Sequence, residues 1–190
     1  MNLEIVENKN FSGVDFSKKQ IAGIEFENCI FKNCKFTNKD LSGFIFLECK
    51  FIECDLSNAK LNDASLKDVD FIKCKLLGLE FNNCNQLLLT FSFTECQLNL
   101  SSFFQMKIKG TIFSNCDLTE ADFGETDLTK SVLNNCDLKN TIFENTNLSE
   151  VDLRTSYNFS IDPENNIIKK TKFSKDGLSG LLKKYDIIIE

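Results

Sequence analysis

CDLSNAKLNDASLKDVDFIKCKL, residues 54–76, places Leu56, Leu61, Leu66, Phe71 and Leu76 five residues apart. That spacing matches neither the 3.6-residue period of a helix nor the two-residue period of a strand. Centred on the apolar residue, the register extends back through Phe31, Phe26, Ile21 and Phe16 to Phe11 and forward to Phe81 without a break. It resumes at Leu88 after one seven-residue step and continues through Phe93, Leu98, Phe103, Ile108 and Phe113 to Leu153. Two extra residues, near Asn85, Gln86 and Leu87, therefore interrupt an otherwise constant period.

The residue two before each centre is usually small, as in Ala59, Ala64, Thr126, Ser131 and Thr146, and the residues between are mostly polar. One large and one small inward position per pentad imply a narrow tube. Four pentads per coil would stack residues twenty apart, and Phe11, Phe31, Phe51 and Phe71 have that spacing. Cys34, Cys54, Cys74, Cys96, Cys116 and Cys136 follow at intervals of 20, 20, 22, 20 and 20, the 22 falling at the interruption. These six cysteines form an inward ladder in a four-sided parallel β-helix with rungs ~4.8 Å apart.

The pentads CDLSN, ADFGE, TDLTK, CDLKN and VDLRT resemble the pentapeptide-repeat proteins, whose motif is a small residue, Asp or Asn, then Leu or Phe, then two variable residues. The resemblance spans nearly all of residues 9–155 and implies an all-β fold, a right-handed quadrilateral parallel β-helix. The expected organisation is a solenoid over 1–155, then a degenerate last coil and a C-terminal helix over 156–190. Pro163 marks the break, and KTKFS around Phe173 reads as a last pentad.

Leu178, Leu181, Leu182 and Tyr185 have the spacing of a short amphipathic helix with Ser174 as N-cap, although Gly177 and Gly180 oppose it. The helix either caps the open end of the solenoid or joins two chains. In the Qnr-type, topoisomerase-binding branch such a segment joins two solenoids. The resemblance thus implies a homodimer through Leu178, Leu181, Leu182, Tyr185, Ile187, Ile188 and Ile189.

The chain has 190 residues and a net charge of −6. That balance argues against direct nucleic-acid binding and against attraction to anionic membranes. No signal segment or membrane-length apolar run is present, so the expectation is a cytoplasmic protein. Without histidine, the Ser-His-Asp and Cys-His arrangements and histidine metal sites are excluded. The cysteine spacings lack the two-to-four-residue step of a zinc pair, so neither an enzyme nor a cofactor is expected.

From Thr111 to Leu153, nine acids face two lysines, net −7. These acids are either an interaction surface or a solvated face whose Asp and Asn suit the turns. Ile30, Ile52, Ile72, Ile112 and Val132 occupy outward positions and suggest an apolar contact stripe. Qnr-type proteins bind DNA gyrase or topoisomerase IV by imitating duplex DNA and protect them from fluoroquinolones. The resemblance makes Asp117, Glu120, Asp122, Asp127, Asp137 and Asp152 the candidate topoisomerase-facing acids. Many protective members carry projecting loops, whereas this chain inserts two residues. A scaffolding solenoid that engages another protein is the competing reading.

Overall fold

The computed structural model describes residues 4–18 and 24–188. Ile21 and Ile189, an expected centre and an expected interface residue, lie outside them. The described chain winds into a parallel β-solenoid. Strands β1 (Glu4–Glu7), β3 (Ile24–Glu27), β5 (Ile45–Leu47) and β7 (Ser65–Lys67) build a four-stranded parallel sheet in that order. A seven-stranded parallel sheet runs β2 (Asn10–Ser12), β4 (Ile30–Lys32), β6 (Lys50–Ile52), β8 (Val69–Ile72), β9 (Phe91–Thr94), β10 (Ile112–Ser114) and β11 (Val132–Asn134). Isolated bridges continue the same twenty-residue register elsewhere, from Asp15 with Lys35 to Asp152 with Lys172.

The side carrying the seven-stranded sheet is face one, and its centres Phe31, Phe51, Phe71, Phe93 and Phe113 are buried. Face two follows along the chain with the cysteine ladder, face three with Phe81, Phe103 and Phe123, and face four with the four-stranded sheet. Rings stack along a face and meet edge-on around the corner. Phe31 and Phe51 lie 4.8 Å apart at 10°, whereas Phe31 and Phe36, on adjacent sides, lie 5.6 Å apart at 75°. Such geometry adds about 0.5–1.5 kcal/mol per pair beyond the area buried.

Most corners among the described residues turn on a residue with positive φ, such as Asn33 at 53° or Asn58 at 55°, which is why asparagine crowds that position. The residue just before the centre locks the next corner. The Asp117 carboxylate accepts the Thr119 N–H at 3.0 Å, and Asp122, Asp127, Asp137 and Asp152 do the same for the residue two ahead.

The interruption departs from the sequence expectation. Ser65 still bridges Asn85, whereas Val69 pairs with Phe91, so the extra residues lie beyond Asn85. Leu88, expected as a centre, is 69% exposed, and Leu89 packs partly against the core instead. Leu88 takes a positive φ of 58° at the corner, which turns its side chain away from the tube.

The C-terminal segment also differs from the expected α-helix. It forms 3-10 turns at Asp176–Leu181 and Lys183–Tyr185, closed by i to i+3 bonds such as Leu182 N–H to Ser179 C=O. Ser174 Oγ does accept the Gly177 N–H at 3.1 Å. However, the Gly180 carbonyl is taken by the Ile161 N–H at 3.0 Å, which fixes this turn to the last coil and diverts that oxygen from an α-helical bond. Lys184 ties the segment down again, reaching Asp162 at 2.7 Å and Glu164 at 2.6 Å.

Candidate interaction surface

A five-residue step along this chain is a quarter turn around the tube, so the candidate acids do not form one stripe. Asp117 bridges Gln97 and Asp137 on face two. Asp122 lies between Ser102 and Ile142 on face three, Asp127 between Lys107 and Asn147 on face four, and Asp152 between Val132 and Lys172 on face one. Glu120 turns the corner between faces two and three at φ 59°. Only Asp117 and Asp137 are brought together as neighbouring rungs.

Two of the six are neutralised by cations outside the 111–153 stretch. Lys109 lies 3.1 Å from Asp127, while Arg154 and Lys172 lie 2.7 and 3.9 Å from Asp152. Hydrogen bonding from Arg154 holds the Asp152 carboxyl below its ordinary range. At Asp117 and Asp127 burial pushes the carboxyl up, and hydrogen bonds more than offset it, from Thr119 and Asn99 and from Thr129 and Lys109 respectively. These acids are ionised components of the turns.

Face three is where acids collect. Its outward positions from residue 40 to 145 carry Asp40, Asp63, Glu80, Asp122, Glu125 and Glu144 against Lys60 alone. Among the described residues, Glu80, Glu120, Asp122, Glu125 and Glu144 have no cation within 4 Å. Glu125 and Glu144 are on adjacent rungs, the Glu125 N–H donating to the Glu144 carbonyl at 2.7 Å. Sequence reasoning missed Glu80, which precedes the 111–153 stretch whose charges were counted, and Glu125 and Glu144, which do not stand directly before a centre. The twenty-residue register, applied to those positions, contains the signal.

Apolar side chains interrupt this acidic face. Leu100 is 62% exposed, Ile142 47%, and Phe104 is half-buried. The Phe104 ring lies against Gly124, where an added Cβ would come within 3.1 Å of it. On face one, Ile112 and Val132 are adjacent in register and exposed, whereas Ile52 and Ile72 are half-buried.

Residues 154–188 reverse the charge. Arg154, Lys169, Lys170, Lys172, Lys175, Lys183 and Lys184 outnumber Asp162, Glu164, Asp176 and Asp186, net +3. Leu178, Leu182, Tyr185, Ile187 and Ile188 are exposed there, and Leu181 packs partly against the core.

The six ladder cysteines are buried and unbridged. No group of three or more potential metal ligands occurs among the described residues, and no described helix is long and apolar enough to cross a membrane.

A family model of the pentapeptide repeat region matches residues 44–113, and a second, of eight pentapeptide-repeat copies, matches 96–135 and 116–154. Among solved structures, trypsin-treated QnrB1, a plasmid-mediated fluoroquinolone resistance protein, is similar at TM-score 0.54 and 19% identity, covering 98% of this chain and 100% of that one. HetL, a pentapeptide repeat protein involved in heterocyst differentiation regulation in the cyanobacterium Nostoc, is similar at TM-score 0.41 and 15% identity, covering 92% and 90%. No curated protein sequence matches the chain.

Proposed function

The chain belongs to the pentapeptide-repeat proteins, their models together matching residues 44–154, and we propose that it is a protein ligand of a type II topoisomerase, DNA gyrase or topoisomerase IV. It presents carboxylates to the basic DNA-binding surface of that enzyme where duplex DNA presents phosphates, and so modulates the enzyme or relieves fluoroquinolone poisoning. The unpaired acids of face three carry this reading: Glu80, Glu120, Asp122, Glu125 and Glu144 face solvent without a compensating cation within 4 Å among the described residues. Stacked like charges held on a stiff scaffold attract a cationic surface at long range and lose that attraction in salt. The similarity to QnrB1 supports the fold on which such a surface is built. The protein works in the cytoplasm, where its target resides, as a pair of chains joined through the C-terminal segment.

The test is a supercoiling assay with gyrase, with and without a fluoroquinolone, over a concentration series of the protein. Inhibition or drug rescue, weakened by added salt and by Glu125→Lys with Glu144→Lys, is expected. No effect in either format would sink the topoisomerase reading.

A scaffolding solenoid is favoured by a different observation. Asp117, Asp122, Asp127, Asp137 and Asp152 each spend a carboxylate oxygen on the backbone N–H two residues ahead, which explains their presence without a partner.

A further inference from the structure

The two ends of the solenoid are finished differently. At the C-terminal end Gly180 lies against Phe159 and Leu181 packs on the core. At the other end β1 and β2 are the outermost strands of their sheets. The lumen residues of that first coil, Val6 and Phe11, are half-buried, whereas Phe26 and Phe31 one coil further in are 3% and 0% exposed.

The backbone at this rim carries a regular set of unused groups. The Ile30 N–H donates to the Lys9 carbonyl and the Gly13 N–H to the Lys32 carbonyl, both at 2.9 Å. Bonding sides alternate along a strand, so the N–H and C=O of Asn10 and Ser12 point away from β4, off the end of the tube. The Asn8 N–H goes to the Glu27 carbonyl at 3.0 Å, and by the same alternation the backbone groups of Ile5 and Glu7 point away from β3. Each strand thus offers two such residues, two positions apart, the pattern that an antiparallel partner satisfies.

Charge at the rim is divided by face. Glu7, Glu25 and Glu27 line face four, Lys9 and Lys32 line face one, and none of the five has an opposite charge within 4 Å among the described residues. Lys9 holds the inward position that Cys29 and Cys49 hold on the next coils, yet it is exposed. Setting β1 on β1 of another chain would oppose glutamates to glutamates, whereas β1 on β2 matches acids to lysines.

We propose that this end binds the same end of a second copy, about a two-fold axis between Asn8 and Lys9 that sets each β1 antiparallel to the other's β2. Ile5 then exchanges both backbone bonds with Ser12 of the second copy, and Glu7 with Asn10, while Val6 lies opposite Phe11 between them, lumen to lumen. Glu7 of the second copy becomes the acid nearest Lys9. The contact is independent of the pairing read at the C-terminal segment. It leaves that segment and face three uncovered, so it links C-terminally joined pairs into a linear array that still presents its acids.

Introduced cysteines test the register whatever the C-terminal segment does. Ile5→Cys and Ser12→Cys chains, mixed and oxidised, should link one to the other, because a hydrogen-bonded antiparallel pair holds its Cα atoms about 5.5 Å apart, within disulfide range. Neither variant should link to itself, and the native cysteines are buried. Sedimentation velocity of the full chain measures the strength. Lys9→Glu with Lys32→Glu should weaken association about tenfold or more, and Glu7→Lys with Glu27→Lys likewise. Mixing the two restores it, since each brings the charge that the other's reversed rim requires. Asn10→Pro deletes an N–H that bonds nothing in its own chain, so it should abolish the contact and leave the urea midpoint unchanged. Association indifferent to these changes would belong to the C-terminal segment alone and overturn the proposal. Absence of the mixed disulfide would overturn it too, and would make Lys9 a guard against edge pairing.

Discussion

The Cys54 thiol lies 3.2 Å from the Phe31 carbonyl oxygen of the preceding coil and donates to it. The relationship recurs from Cys74 to Phe51 and from Cys96 to Phe71, each at 3.3 Å. Hydroxyls make the same bond where the small residue is threonine or serine, as in Thr126 to Phe103 at 2.7 Å and Ser156 to Leu133 at 2.7 Å. The small inward residue therefore does more than fit. It gives a buried carbonyl an additional donor, and Cys, Ser and Thr are interchangeable for that purpose.

Cys116→Thr is accordingly expected to shift stability by less than about 1.5 kcal/mol, because Thr126 shows that the site type accepts a threonine. Cys116→Leu should destabilise by about 1–3 kcal/mol or more through overpacking beside Phe93 and Phe113. Urea unfolding of both variants decides this. Equal losses would mean that neither the donor nor the volume sets the choice.

Alkaline pH should weaken the fold through its thiols. Burial pushes Cys49 and Cys84 up to about 12 from an ordinary value of 9.0. Below pH 9 both states keep the proton. Between 9 and about 12 only the unfolded chain releases it, so stability falls as pH rises. The slope of urea midpoint against pH should be shallower for Cys49→Ala with Cys84→Ala than for the unmodified chain. Parallel slopes would show that these thiols are not shifted.

Much of this fold was legible because the tube has one strict geometric demand. A side chain every five residues must fill a lumen of constant width, so the period, the twenty-residue coil and the cysteine ladder could all be read from spacing. The acidic surface was harder to read. Counting charges between Thr111 and Leu153 excluded Lys109, Arg154 and Lys172, which a stacked coil brings alongside Asp127 and Asp152. Choosing aspartates by pentad position selected turn formers, whereas Glu125 and Glu144 on face three lie outside that position. The C-terminal turns were missed because the amphipathic pattern does not reveal that Ile161 claims the Gly180 carbonyl.

Gly180 illustrates that local demand. A Cβ there would come within 2.6 Å of the Phe159 ring and of the Phe159 carbonyl oxygen, a backbone atom that cannot swing aside. Gly180→Ala is expected to lift the 3-10 segment from the last coil. Hydrogen exchange should rise across residues 174–188 and stay unchanged in the strands around Phe93 and Phe113. Uniform protection in the variant would mean the segment tolerates the methyl group.

The two-residue interruption makes the most demanding prediction, because one core site changes occupant there. On face four, Leu66 is the centre before the interruption and Ile108 the centre after it, and between them Leu88 is exposed while Leu89 packs only partly against the core. Phe91, at a position that Val69 and Thr111 occupy on neighbouring rungs, is 5% exposed, and its ring lies 5.6 Å from Phe81 and 6.2 Å from Phe103. Its bulk fills the lumen that a fully inward centre would occupy. Removing Gln86 and Leu87 restores the five-residue spacing and brings Leu88 into the register of Leu66. With Phe91 still in place, that deletion should overpack the coil by about 1–3 kcal/mol. Phe91→Val in the full-length chain should cost about 2–4 kcal/mol through the cavity it leaves. Combined, the two changes should cost far less than their sum, because Leu88 enters the space the phenyl ring vacates and the rung then matches that of Val69. Urea unfolding of the three variants measures the coupling directly, and additive losses would show that Phe91 and the displaced Leu88 do not compete for one site.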